Sequence, residues 1–174
     1  SSASTDTQPV FDAIVNSTQR LIGGKSTVLL LRRESQFVVA GYAGPAVADL
    51  PDQVRTAPLD REKNFPSRAI LDAKVVHVPD WDGDDVPDHE RVVGKAFGIR
   101  SGLFVPLLRE GEGIGAIVVT RETAGRFNER EVSLLQSFAD QAVIAIENVR
   151  LFNETKEALE QQTATADILR VISG

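Results

Sequence analysis

The sequence predicts an α+β domain whose helices flank an antiparallel sheet. Three observations carry that reading. Apolar residues recur at three-to-four spacing near the N-terminus and again in the last third, while β-branched runs fill the stretches between. The stretch "FVPLLREGEGIGAIVVT", Phe104 to Thr120, has glycines at every second position between two strand-like runs. A dinucleotide loop needs a helix after its glycines and the spacing G-x-G-x-x-G. Here the spacing is G-x-G-x-G and "AIVVT" follows, so "REGEG" reads as a hairpin turn that binds no phosphate. The third observation is the order of elements: a helix, two strands, a mixed middle, the hairpin, then a long helix. In this plan the terminal helices pack on one face of the sheet and the mixed middle covers the other.

Residues 1 to 8, "SSASTDTQ", are polar and are expected to be disordered or linker. In the first helix Val10, Phe11, Ile14, Val15, Leu21 and Ile22 keep helical spacing, Pro9 suits a first turn, and Gly23 and Gly24 end it. "STVLLLRR" and "SQFVVAGYAG" read as strands with a turn at Arg33 to Ser35, and Leu50 to Asp60 as irregular. A short helix is expected over Phe65 to Ala73 and a strand over Val75 to Trp81. "DWDGDDVPDHE" reads as a solvated acidic loop, and "HERVVGKAFG" as a helix ending at Gly98. The acidic loop begins like a calcium loop, with Asp80, Asp82 and Asp84 at positions 1, 3 and 5. It lacks the required glycine and the closing glutamate, so no metal is expected.

The long helix begins at Asn128. Glu131 stands three residues on, which makes a capping box, and Phe127 with Val132 form a hydrophobic staple. Leu135, Phe138, Ala142, Ala145, Val149 and Phe152 form its apolar stripe. Beyond Phe152 a thinner heptad pattern runs through Leu159, Ala166 and Leu169, interrupted by Thr155 and Gln162. Val143, Ile144 and Ile146 lie outside the main stripe, so a second buried surface is expected. Val10, Ile14, Ile144, Ile146, Leu151 and Leu159 are the candidates for a parallel homodimer interface.

The 174 residues suffice for one domain with a real core and a short extension. A formal net charge of -6 repels phosphate backbones, which argues against nucleic acid as a partner. No apolar run reaches the roughly 20 residues of a membrane span, and no signal peptide opens the chain, so a cytoplasmic location is expected. There is no cysteine, which excludes disulfides, thiolate metal sites and cysteine nucleophiles. No G-x-S-x-G elbow or oriented serine–histidine pair is present, so catalysis is not expected.

With these residues in place the sequence resembles a GAF domain. "GIRSGLFVPLLREGEGIGAIVVT" followed by "FNEREVSLLQSFADQAVIAIENVRLF" is similar to the C-terminal half of that family, and "FPSRAILDAKVVHVPDW" to its middle. The resemblance covers 9–152 and leaves 153–174 as a helical signalling linker. It implies a GAF-like (PAS-like) antiparallel sheet of five to six strands, terminal helices on one face, and ligand-pocket loops with short helices on the other. It also implies a sensory or regulatory input domain of a cytoplasmic multidomain signalling protein, binding an unknown small molecule. The host expected is a bacterial sensor histidine kinase of a two-component system. A nucleotide cyclase input domain, a ligand-free dimerisation module and a haem sensor are the alternatives. Neighbouring GAF, kinase or cyclase domains would share the chain.

Candidates for a cavity between the sheet and the middle segment are Arg68, Trp81, His89, Val93, Phe97, Arg100, Ser101 and Phe104, with the arginines and Ser101 as polar anchors for a carboxylate or phosphate. Cyclic-nucleotide members carry an N-K…F…D-E motif. Phe127 and Glu131 match its second half, but Thr120 and Arg121 stand nearest the Asn and Lys positions. A covalent bilin is excluded because its cysteine is missing, and the fold's methionine sulfoxide reductases also depend on cysteine. His77 and His89 are the only histidines that could hold haem. No cofactor is expected.

Overall fold

In a computed structural model, residues 6–45 and 55–173 are described. Helix α1 (Gln8–Ile22) leads into strands β1 (Ser26–Arg33) and β2 (Gln36–Ala43). Strand β3 (Thr56–Pro58), helix α2 (Phe65–Asp72), strand β4 (Val76–Val78) and helix α3 (Asp88–Phe97) form the middle. Strands β5 (Ser101–Arg109) and β6 (Glu112–Arg121) make the hairpin, and helix α4 (Glu129–Ser173) ends the chain. The six strands form one sheet in the order β3-β2-β1-β6-β5-β4, and each neighbouring pair is antiparallel.

Side-chain alternation along β1 and β5 divides the core in two. Leu29, Leu31, Leu103, Val105 and Leu107 face α1 and α4, where Phe11, Val15, Leu135, Phe138 and Ala142 meet them. Leu30, Phe104, Ala116 and Val118 face the middle segment, where Phe65, Ile70, Trp81 and Val86 meet them. The two layers expected from the order of elements are therefore present. Burial fixes the register, because a slip of one residue would exchange these faces.

The β5–β6 turn explains its glycines individually. Glu110 and Gly111 form the two-residue loop with φ of 51° and 82°, the positive pair that a tight twisted hairpin requires. Gly113 serves another purpose, since a Cβ there would overlap the Ile70 carbonyl oxygen of α2. "AIVVT" lies in β6 as a strand, paired on both sides.

Two expectations are corrected. The stretch read as irregular contains β3, which pairs Thr56 to Pro58 with Gln36 to Val38 at the sheet edge; residues 50–54 of that stretch lie outside those described. The expected strand over Val75 to Trp81 shrinks to Val76–Val78, and Trp81 leaves the strand to become core. Among the described residues, no helix is long and apolar enough to cross a membrane.

Candidate functional site

The middle-segment face is where the sequence placed a pocket. Its aromatic side chains instead fill one another's space. Phe65 meets Trp81 edge-on with ring centroids 5.1 Å apart, and Phe104 lies 5.5 Å from Phe65 and 5.9 Å from Trp81. Gly94 and Gly102 admit the indole, because a Cβ on either would run into it. The indole Nε1–H donates to the Glu90 carbonyl oxygen at 2.6 Å, which ties α3 to the cluster. Val93 and Phe97 pack half-buried against the same group.

The polar candidates do not converge there. The Arg68 guanidinium lies over the Phe65 ring at 5.3 Å, and its Nε donates to the Arg61 carbonyl. Arg100 turns outward to Asp82 at 3.5 Å. Ser101 alternates onto the same sheet face as Leu103, away from Phe104, and its hydroxyl donates to the Thr123 carbonyl. His89 is exposed in the first turn of α3. Val92, on the same helix, is exposed as well. Arg100, Ser101 and His89 are thus removed from the expected pocket by the strand's alternation and by the direction of the α3 first turn.

A residue that the sequence reading assigned to the solvated loop lies here instead. Glu90 is only 6% exposed. Burial pushes its carboxyl up to about 7, against the opposing pull of the Phe65 backbone N–H and the Arg68 guanidinium. The signal was available: Glu90, Val93, Gly94 and Phe97 share one face at helical spacing, so periodicity places the carboxyl inward.

A second cluster fastens the start of α4. The Asn128 N–H donates to Glu131 Oε1 at 2.9 Å, and the Glu131 N–H donates to Asn128 Oδ1 at 2.8 Å, a reciprocal capping box. Arg121 pairs with Glu131, donates to the Ile22 carbonyl, and lies 4.1 Å over the Phe127 ring. The Phe127 N–H donates to His77 Nε2 at 2.9 Å. Burial, helped by Arg126, lowers the His77 pKa against Glu131, which favours the neutral ring that this bond requires. Phe127 and Glu131, the pair shared with cyclic-nucleotide members, are both engaged in this joint. Helix α1, β4, β6 and α4 meet in it.

On its outer side α4 carries an open groove of about 590 Å3, lined by Val10, Gln141, Ile144, Asn148, Leu151 and Thr155 among others. Ile144 is 58% exposed and Leu151 51%, with Val10 and Leu159 also exposed. Two other interface candidates are corrected. Ile14 is 4% exposed inside the helix-side core, and Ile146 packs against that core. Ile14 is buried where α1 packs on the sheet, and Ile146 sits half-buried at the edge of that core. Residues 153–173 of α4 are exposed throughout.

Comparison with known proteins agrees with this architecture. The GAF domain family matches residues 6–146. No curated protein matches the chain. Among solved structures, the GAF domain region of a putative membrane protein from Geobacter sulfurreducens PCA is 26% identical. That match covers 82% of this chain and 93% of the other, with a TM-score of 0.70. The blue-light absorbing form of the Thermosynechococcus elongatus PixJ GAF domain is 16% identical, with coverage of 90% and 94% and a TM-score of 0.72. A domain of a putative two-component sensor histidine kinase from Sinorhizobium meliloti 1021 is 18% identical, with coverage of 88% and 99% and a TM-score of 0.68. With its family match spanning most of its length and its fold shared with these structures, this chain belongs to the GAF domain family.

Proposed function

We propose that the chain is a regulatory input module of a signalling protein, acting through its long helix as a parallel homodimer. One observation carries the reading. Helix α4 is continuous for 45 residues, from a cap fastened to the sheet, through the core, to a segment that leaves the domain behind. A ligand or neighbouring domain that favours one packing of the core thereby biases the position of the emerging helix. The bias operates only through different affinities for the two arrangements. The structural neighbours support a signalling context. They include a methyl-accepting chemotaxis protein, the sensor histidine kinase domain and a GAF domain from an Acinetobacter phosphoenolpyruvate-protein phosphotransferase.

Other neighbours are free methionine-R-sulfoxide reductases, so the fold also serves catalysis. Our reading is regulatory because the chain has no cysteine for thiol redox chemistry. A sensor histidine kinase is the host we favour, and the cytoplasm the location. Sedimentation equilibrium from low to high micromolar concentration tests the assembly. A monomer–dimer equilibrium is expected, and a monomer at every concentration overturns it.

A further inference from the structure

At the hairpin end of the molecule the sheet comes apart. The β1–β6 ladder stops at Leu31↔Gly115, while β1–β2 pairing continues to Arg33↔Gln36 and β5–β6 pairing to Arg109↔Glu112. The cause is a bulge. Leu107 pairs with Gly115 and Leu108 with Gly113, so Ile114 is the extra residue and β6 bends away from β1. Gly115 is required there because a Cβ would overlap the Leu30 carbonyl oxygen. The two hairpins splay beyond that point and leave a notch of about 890 Å3. Gly111 and Gly113 contribute no side chain to fill it.

The notch has an apolar floor and a cationic rim. Ile114, Ile146 and Val149, each half-buried, give it apolar surface, with Leu31 and Ile70 buried beneath them. Arg32, Arg33, Arg109 and Arg150 stand around it, with Glu112 as the acidic side chain of the lining. Some of the arginine donors are taken. The Glu147 carboxylate accepts from Arg109 at 3.2 Å and from Arg150 at 2.9 Å, Arg150 also pairs with Glu154, and Arg32 Nε donates to the Glu34 carbonyl. The Arg33 guanidinium has no ion pair among the described residues. Each guanidinium carries five donors, so the rim keeps capacity for an anion. Four arginines around one opening stand out on a chain whose net charge is -6.

We infer that this notch binds a small amphiphilic carboxylate, its apolar body on the Ile114–Ile146 floor and its carboxylate between Arg33 and Arg109. An apolar pocket with a few convergent charged groups is the usual form of a small-molecule site, and the planar guanidinium fork suits a carboxylate. Bound there, the ligand joins both hairpins to α4 beside Ile146 and Val149. The site lies on the sheet's open end, apart from the Trp81 cluster, and meets the Ile144 groove only at Thr7 and Val149.

Titration of the whole chain with octanoate at low salt, followed by amide NMR and calorimetry, tests this. Saturable shifts are expected at Arg33, Arg109 and Gly113, with the Ile144 and Leu151 signals unmoved. Acetate and inorganic phosphate serve as comparators and are expected to bind at least tenfold more weakly. In the Arg33→Gln, Arg109→Gln double variant, affinity for octanoate should fall at least tenfold while the melting temperature stays put, since both side chains are exposed. Absence of saturation, shifts centred on Ile144, or binding unchanged by the double variant overturns the site. Phosphate or acetate binding as tightly as octanoate overturns the ligand class.

Discussion

Glu90 shows how one side chain can carry both order and a cost. Its carbonyl oxygen anchors Trp81, so α3 must lie where the carboxyl is buried. The folded value of about 7, against an ordinary 4.5, means that the folded chain holds a proton which the unfolded chain releases between those pH values. Its favourable share of stability is complete below pH 4.5 and is lost as the pH rises through about 7. A shift of this size corresponds to something on the order of 3 kcal/mol at alkaline pH. Glu90→Gln keeps the shape and removes the ionisation. It should therefore raise the urea midpoint over wild type at pH 8 and change it little at pH 4.5; an equal change at both would mean that ionisation is not the cause. His77 works with the opposite sign. Its lowered value gives stability that is present above 6.5 and lost as the pH falls, because a protonated ring cannot accept the Phe127 N–H.

At the scale of elements, what could be read in advance was what is decided locally. The capping box at Asn128 and the β5–β6 hairpin were legible because each depends on residues within a few positions of one another. Strand β3 was not, because three residues become a strand only when the β2 edge offers them partners. The direction of Ser101 and the burial of Ile14 were misjudged for the same reason: each depends on what packs opposite. Trp81, Phe104, Val93 and Phe97 do lie together, as packing rather than as an open site. The splayed hairpins had no sequence signature, since Gly113 and Gly115 are dictated by carbonyl oxygens from α2 and β1. The cap allows a direct check. Asn128→Ala removes the acceptor for the Glu131 N–H at the point where α4 is fastened, so chemical denaturation should show a loss of about 1 kcal/mol. An unchanged midpoint would show that Arg121 and His77 hold the joint without the cap.

At the scale of the whole molecule, the exposed side of α4 keeps a seven-residue rhythm. Ile144, Leu151, Ala158, Thr165 and Ile172 fall at every seventh position, and Gln141, Asn148, Thr155, Gln162 and Leu169 form the companion series. The open groove beside Val10 and a second one around Ala158, Gln162 and Thr165 lie along that one seam. The series crosses from the domain into the emerging helix without a break, as expected of a parallel coiled coil that starts on the domain surface. In the proposed homodimer its polar members, Asn148 and Gln162 above all, would weaken the pair and favour one register. Because the chain has no cysteine, single cysteines report this geometry against a clean background. Copies of residue 151 or 158 can come within the Cα separation a disulfide requires, about 4.4–6.8 Å, where the helices run parallel and in register. Leu151→Cys and Ala158→Cys should each give a covalent dimer under mild oxidation, and Glu160→Cys, on the far side of the helix, should not. If all three cross-linked equally, encounter would be random. If neither Leu151→Cys nor Ala158→Cys cross-linked while sedimentation still showed a dimer, the copies would be antiparallel or joined through another face.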